Sequence, residues 1–270
     1  MRTQVLLYLL PLLGLLTACG QRDTTRPPDL LVRVAGGKIL AADTIAPGWT
    51  RVRVEEDGEG HIVVAFRLGD RGDDSSVALL ASALDTAKAT PATLHAMGGP
   101  EIGDSGEVVI ELAAGKYLFG CVSRGPDGHR HISLGERAVV VVRDAPIAPE
   151  RQRPPAAAIE LTLTDFAYVG TGTWPSGPQM IRIANTGHED HQLRLVRLRE
   201  GATIGAWMAA EDPEALADPV VGMARLGPGG VAYLPADLGP GHYVAYCLIT
   251  DPASGRQHVE MGMLREFIVD

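Results

Sequence analysis

Gly177-Pro178-Gln179-Met180-Ile181-Arg182-Ile183 runs through the turn Ala184-Asn185-Thr186-Gly187-His188-Glu189-Asp190 into His191-Gln192-Leu193-Arg194-Leu195-Val196-Arg197-Leu198. In Ile181-Arg182-Ile183 apolar and charged residues alternate. That period of two turns one face of a strand to a core and the other to water. The passage has an earlier copy. Gly48-Trp49-Thr50-Arg51-Val52-Arg53-Val54 precedes a turn, and His61-Ile62-Val63-Val64-Ala65-Phe66-Arg67-Leu68 follows it. Further on, Leu112-Ala113-Ala114-Gly115-Lys116-Tyr117 leads to Cys121, as Leu238-Gly239-Pro240-Gly241-His242-Tyr243 leads to Cys247. His131-Ile132-Ser133-Leu134-Gly135-Glu136 matches His258-Val259-Glu260-Met261-Gly262-Met263. Both halves close on β-rich runs, Ala138 to Val142 and Leu264 to Val269.

The 270 residues therefore read as two bodies, 30–143 and 158–270. The stretch 144–157, DAPIAPERQRPPAA, has the composition of a spacer between domains. High Gly (32) and Pro (19) with few aromatics (5 %) favour many short strands over long helices. About six strands per half are expected, with helical character at Ser75 to Ala87 and Thr203 to Ala210. The fold class is all-β, two tandem β-sandwiches with short helical insertions. The net charge is -9, and no run of Lys and Arg interleaves with aromatics, so nucleic acid is not an expected partner.

Residues 1–19 read as an export leader, with Arg2 ahead of an apolar run from Val5 to Leu16. That run is too short to span a bilayer as a mature helix. It ends in Leu16-Thr17-Ala18-Cys19, which resembles the bacterial lipobox. The resemblance implies cleavage before Cys19 and a lipid on its thiol, with 20–29 as a polar tether. Ordinary secretory cleavage near Ala18 is the alternative, and it also exports the chain. The expected place is the cell envelope, lipid-anchored to a membrane and facing the periplasm or the outer surface.

Cys121 and Cys247 remain, and the plain reading of two cysteines in an exported chain is a disulfide. The repeat argues against it. Each half has a His at the start of a strand, a Cys at the end of a strand and a second His beyond a loop. Nine residues separate Cys121 from His131, and ten separate Cys247 from His258. After four more intervening residues stands Glu136 in one half and Met263 in the other. One thiolate and two imidazoles with a weak thioether make a set that suits both Cu(I) and Cu(II).

The order His, then Cys, His and Met resembles the cupredoxins, the fold of plastocyanin, azurin and the copper domains of nitrite reductases and multicopper oxidases. The resemblance covers both halves and implies Greek-key sandwiches. Carried over residue by residue, it implies a type 1 copper site with His191 and His258 as imidazole ligands, Cys247 as thiolate and Met263 as axial thioether. The long Cys-to-His loop and the ending His-x-x-x-Gly-Met are most similar to the type 1 site of copper nitrite reductases. His188 competes with His191, which is preferred because it begins the apolar strand and answers to His61. Met261 competes with Met263. The first half keeps His61, Cys121 and His131 but departs from the pattern at Glu136. As a ligand, Glu136 would stabilise Cu(II); otherwise it is a surface residue, and His129 is an alternative ligand. One copper per chain is expected, and two if the first half also binds.

The expected function is single-electron transfer between redox protein partners at the envelope. Oxidases and nitrite reductases of this family also use His-x-His pairs and a His beside the type 1 Cys. Here Gly120 precedes Cys121 and Tyr246 precedes Cys247, and His129-Arg130-His131 is the only such pair. On that ground the chain is expected not to be an enzyme. One alternative is a module for copper storage, delivery or resistance, disfavoured because no Met-rich or His-rich tract is present. The other is a metal-free interaction module whose cysteines are core residues or a disulfide.

Overall fold

The structure is a computed structural model that describes residues 29–58, 60–69, 73–86, 90–91, 94–101 and 105–270. The leader, Cys19 and the tether up to residue 28 lie outside the described residues. The first half holds β1 (Leu30–Ala35), β2 (Lys38–Leu40), β3 (Thr44–Ile45), β4 (Gly48–Glu56), β5 (Val63–Gly69), α1 (Asp74–Thr86), β6 (His95–Ala96), β7 (Ser105–Leu112), β8 (Gly115–Cys121) and β9 (Arg137–Val142). The second holds β10 (Ile159–Thr164), β11 (Ala167–Gly170), β12 (Thr173–Trp174), β13 (Gly177–Asn185), β14 (His191–Leu198), α2 (Ile204–Ala209), β15 (Ala217–Leu226), β16 (Val231–Leu238), β17 (Gly241–Tyr246) and β18 (Leu264–Val269).

The all-β fold class read from the sequence is the one observed: cupredoxin-like β-sandwiches with two helices among the described residues. The strand orders of the halves correspond. One five-stranded sheet runs β3-β9-β8-β5-β6 and the other β12-β18-β17-β14-β15. The registers agree as well. Gly48 faces Leu112 between β4 and β7, as Gly177 faces Leu238 between β13 and β16. β1 runs parallel to β4, as β10 does to β13. The facing layers belong to a single eight-stranded sheet, β2-β1-β4-β7-β16-β13-β10-β11. Its join is antiparallel and pairs two corresponding strands, with Ile110 opposite Ala232 and Val109 opposite Tyr233.

Alternation explains the layers. In β4, Val52 and Val54 are buried, while Arg51 and Arg53 point outward onto Glu107 of β7, at 3.4 Å and 3.1 Å. Opposite charges across neighbouring strands add modestly to pairing. Inside, Val52, Val108, Ile110 and Phe119 continue into Leu161, Ile181, Leu193 and Phe267 as one apolar core. The helices cover the outer faces of the five-stranded sheets. α1 lays Val77, Leu80, Ala81 and Leu84 on Val64, Phe66 and Leu118, and α2 lays Trp207 on Val196 and Val244. Two tyrosines tie strands to the turns before them. The hydroxyl of Tyr117 donates to Ala113 O at 2.9 Å, and that of Tyr243 to Gly239 O at 2.7 Å.

The stretch 144–157, read as a spacer, connects the halves without parting them. Its Arg151 is buried and donates to Trp49 O and Thr50 Oγ1 on β4. Gly48, at φ +111°, admits this approach, because a Cβ there would stand 2.7 Å from Arg151 O.

Candidate metal centre

In the second half, three side chains from separate segments meet at one end of the sandwich. His191 opens β14, Cys247 directly follows β17, and His258 begins a 3-10 turn, His258–Met261. All three are fully buried, and their ligand atoms lie within 4.8 Å of one another. Cys247 Sγ is 3.5 Å from His258 Nδ1, and the two Nδ1 atoms are 3.2 Å apart. Met263, also fully buried, stands just before β18 in the same core as Cys247.

Backbone hydrogen bonds hold this frame. The amide of Val259 donates to Cys247 O, that of His258 to Ile249 O and that of Met263 to His258 O, at 2.9, 2.8 and 2.8 Å. Gly262, at φ +104°, makes the reversal after His258 and returns the chain to β18. The long loop between Cys247 and His258 is closed by Asp251, which accepts from the amides of Ala253 and Ser254.

The outward nitrogens meet carboxylates. His191 Nε2 lies 3.4 Å from Asp165 Oδ1, and His258 Nε2 lies 3.1 Å from Glu189 Oε2. Such partners orient an imidazole and raise its basicity toward a metal. Asp165 belongs to the β10–β11 turn, whose next residue, Phe166, has a positive φ of 62° and packs its ring edge-on against His258 at 5.1 Å. Burial pushes the Asp165 carboxyl up, but hydrogen bonds from His188 and His191 outweigh it and hold the group at about 2. Asn185 is buried and fixes the preceding turn, donating to Glu189 O and Leu226 O at 2.8 Å each.

Burial sets the protonation of the metal-free cluster. It pushes the Cys247 thiol up to about 12. It pushes His258 down to about 4, with His191 adding to the shift, and it lowers His191 too. These shifts favour a protonated thiol beside neutral imidazoles in the metal-free pocket. A thiophilic metal binds such a set by displacing the thiol proton. The donor chemistry fits copper, which takes thiolate with imidazole in both common oxidation states.

The first half brings together His61, Cys121, His131 and Glu136, again with all ligand atoms within 4.8 Å. Cys121 Sγ is 3.7 Å from His61 Nδ1 and 3.6 Å from His131 Nδ1. Glu136 is buried, not a surface residue, and sits 2.6 Å from His61 Nδ1 and 3.6 Å from His131 Nδ1. Burial pushes the Cys121 thiol up to about 11.

The competing residues lie apart from both groups. His188 is exposed on Asp165, His129 is exposed on Asp85, and Met261 accepts from the Ser254 hydroxyl. Cys121 and Cys247 are free thiols, each in its own cluster. Sequence spacing missed Asp165, Glu189 and Phe166, which reach the site from turns outside the ligand loops. The short distance between Glu189 and His191 in the sequence was the one available signal.

No family model and no curated protein matches the chain. Among solved structures, an auracyanin from the photosynthetic bacterium Roseiflexus castenholzii matches at 23 % identity over 41 % of this chain and 94 % of its own, with a TM-score of 0.29. A multicopper oxidase matches at 14 % identity over 90 % of this chain and 88 % of its own, with a TM-score of 0.25. A multicopper oxidase from Pediococcus acidilactici matches at 9 % identity over 89 % of this chain and 58 % of its own, with a TM-score of 0.29. The two oxidases, matched along nearly the whole chain, overturn the expectation that this protein is not an enzyme. At such low TM-scores, they also assign it no activity.

Proposed function

We propose that the second-half cluster is a type 1 copper centre that carries single electrons. The observation that carries this reading is the convergence of His191 Nδ1, His258 Nδ1 and Cys247 Sγ within 4.8 Å in a fully buried pocket. Copper held there would supply the change between Cu(I) and Cu(II). The chain's own residues supply the rest. The imidazoles arrive neutral and oriented by Asp165 and Glu189. The Cys247 and His258 backbones are bonded into one rigid frame, so the donors need little movement when the charge changes. Burial excludes water and the side reactions it brings. Met263 would supply a weak thioether donor, a role supported by its place in the loop and its burial.

The wider setting belongs to the same proposal. Two tandem domains, a lipid on Cys19, a place in the cell envelope and redox protein partners are supported by the sequence pattern. The experiment is copper loading of the chain without its leader, followed by metal analysis and a visible spectrum. In a Cys121→Ser background, which leaves the second-half thiol alone, an intense thiolate-to-copper band that vanishes when Cys247→Ser is added is the expected result. Copper bound with an unchanged spectrum in that double variant would refute the ligand assignment.

A further inference from the structure

We infer that His61, Cys121, His131 and Glu136 form a second copper site built to hold the oxidised ion, so that the chain carries two coppers of unequal potential. The backbone of this cluster repeats that of the other. The amide of Ile132 donates to Cys121 O, that of His131 to Ser123 O and that of Glu136 to His131 O, at 2.8, 3.0 and 3.0 Å. Gly135 makes the reversal at φ +111°. Glu136 thus occupies the place of Met263, and its side chain is 5 % exposed.

A carboxylate buried only to pair with a histidine needs one ring. Here both rings turn Nδ1 inward, as His191 and His258 do, and the thiol closes the third side. The four ligand atoms enclose a common centre, and three of them are N and S donors that copper prefers.

Charge counting separates the sites. In the first half a thiolate and a carboxylate carry two negative charges. A divalent ion leaves that site neutral, and a monovalent one leaves it negative. In the second half the thiolate is the single negative donor, Asp165 and Glu189 standing behind the imidazoles and partly in water, so among the donors the monovalent ion gives neutrality and the divalent one leaves a positive charge. Burying a net charge is costly. The first site therefore favours Cu(II) and the second Cu(I). With both sites filled, an electron on first-half Cu(I) would pass to second-half Cu(II), oxidising one ion and reducing the other with no further reactant. The two clusters are neighbours: a cavity of about 230 Å3 is lined by Ile62 and Val122 beside one and by Gln192 and Leu248 beside the other. The order of potentials rests on the proposed second-half copper centre; occupancy of the first half does not.

The test is copper loading of the wild type, Cys247→Ser and Cys247→Ser/Glu136→Met, with metal analysis, electron paramagnetic resonance and redox titration. Circular dichroism checks folding, and Glu136→Gln replaces the methionine variant if that one does not fold. The inference expects two coppers per chain in the wild type, one in Cys247→Ser, and a midpoint potential for that remaining copper that rises in the Glu136 variant. If Cys247→Ser binds none while the wild type binds one, this inference falls and the second-half reading stands. One copper in both proteins supports the first-half site and removes the second-half reading. A midpoint unmoved by the Glu136 substitution, or zinc that copper cannot displace, overturns the assignment.

Discussion

In the first half Glu136 Oε1 lies 2.6 Å from His61 Nδ1, while the same turn of the second half carries Met263, buried in an apolar core. The backbones that present these residues make the same hydrogen bonds, and the side chains do not. The walls differ too. The His61 and His131 side chains keep 16 % and 24 % exposure, whereas His191 and His258 have none. One frame thus serves two chemical environments, one with a carboxylate among the inward groups and rings partly open to water, the other with a thioether and fully buried rings whose carboxylates stand behind them. A repeat preserves strand register because the core requires it, and it leaves the position after each reversing glycine free to vary.

The largest expected effect that sharpens this comparison comes from the carboxylates behind the second-half imidazoles. Asp165→Asn or Glu189→Gln should weaken copper binding at that cluster about 10–100-fold, the usual cost of losing such a partner. Competition with a chelator measures it, and first-half occupancy should not change. Gly187→Ala comes next. A Cβ there stands against Asp165 Oδ1 and 2.7 Å from His191 Nε2, so the melting temperature and the second-half affinity should both fall. Overpacking of this kind costs roughly 1–3 kcal/mol. Gly125→Ala, whose Cβ comes no closer than 3.6 Å to His131 Nε2, should cost less in the same melting experiment.

A smaller difference is one of pH. Burial and the neighbouring His191 hold His258 at about 4, below the ordinary imidazole range. Its folded-state pKa is depressed, so the unfolded chain binds the proton first as pH falls. Stability of the metal-free protein is therefore full above about pH 6.5 and declines toward pH 4. Urea titrations across that range should show this decline, and His258→Gln should flatten it.

Much of this was legible before any coordinates. The alternation in β4 and β13 exposed the strands, and the spacing of Cys247, His258 and Met263 singled out one loop. Which sheet edges would meet was not legible, because β7 and β16 show the same alternation whether their free edges face solvent or each other. Asp165 and Phe166 were hidden for a different reason. They depend on a tight turn that brings β10 and β11 beneath the site, and a turn far along the chain leaves no periodic trace. Glu136 was legible as a departure from its counterpart, but its burial between two rings depended on how the loop folds back.

Diffraction at the copper absorption edge from crystals of the loaded protein tests the central claim most directly. The account predicts an anomalous peak bonded to Cys247 Sγ, His191 Nδ1 and His258 Nδ1. Copper found only at surface histidines such as His188 or His242, with that pocket empty, would contradict it.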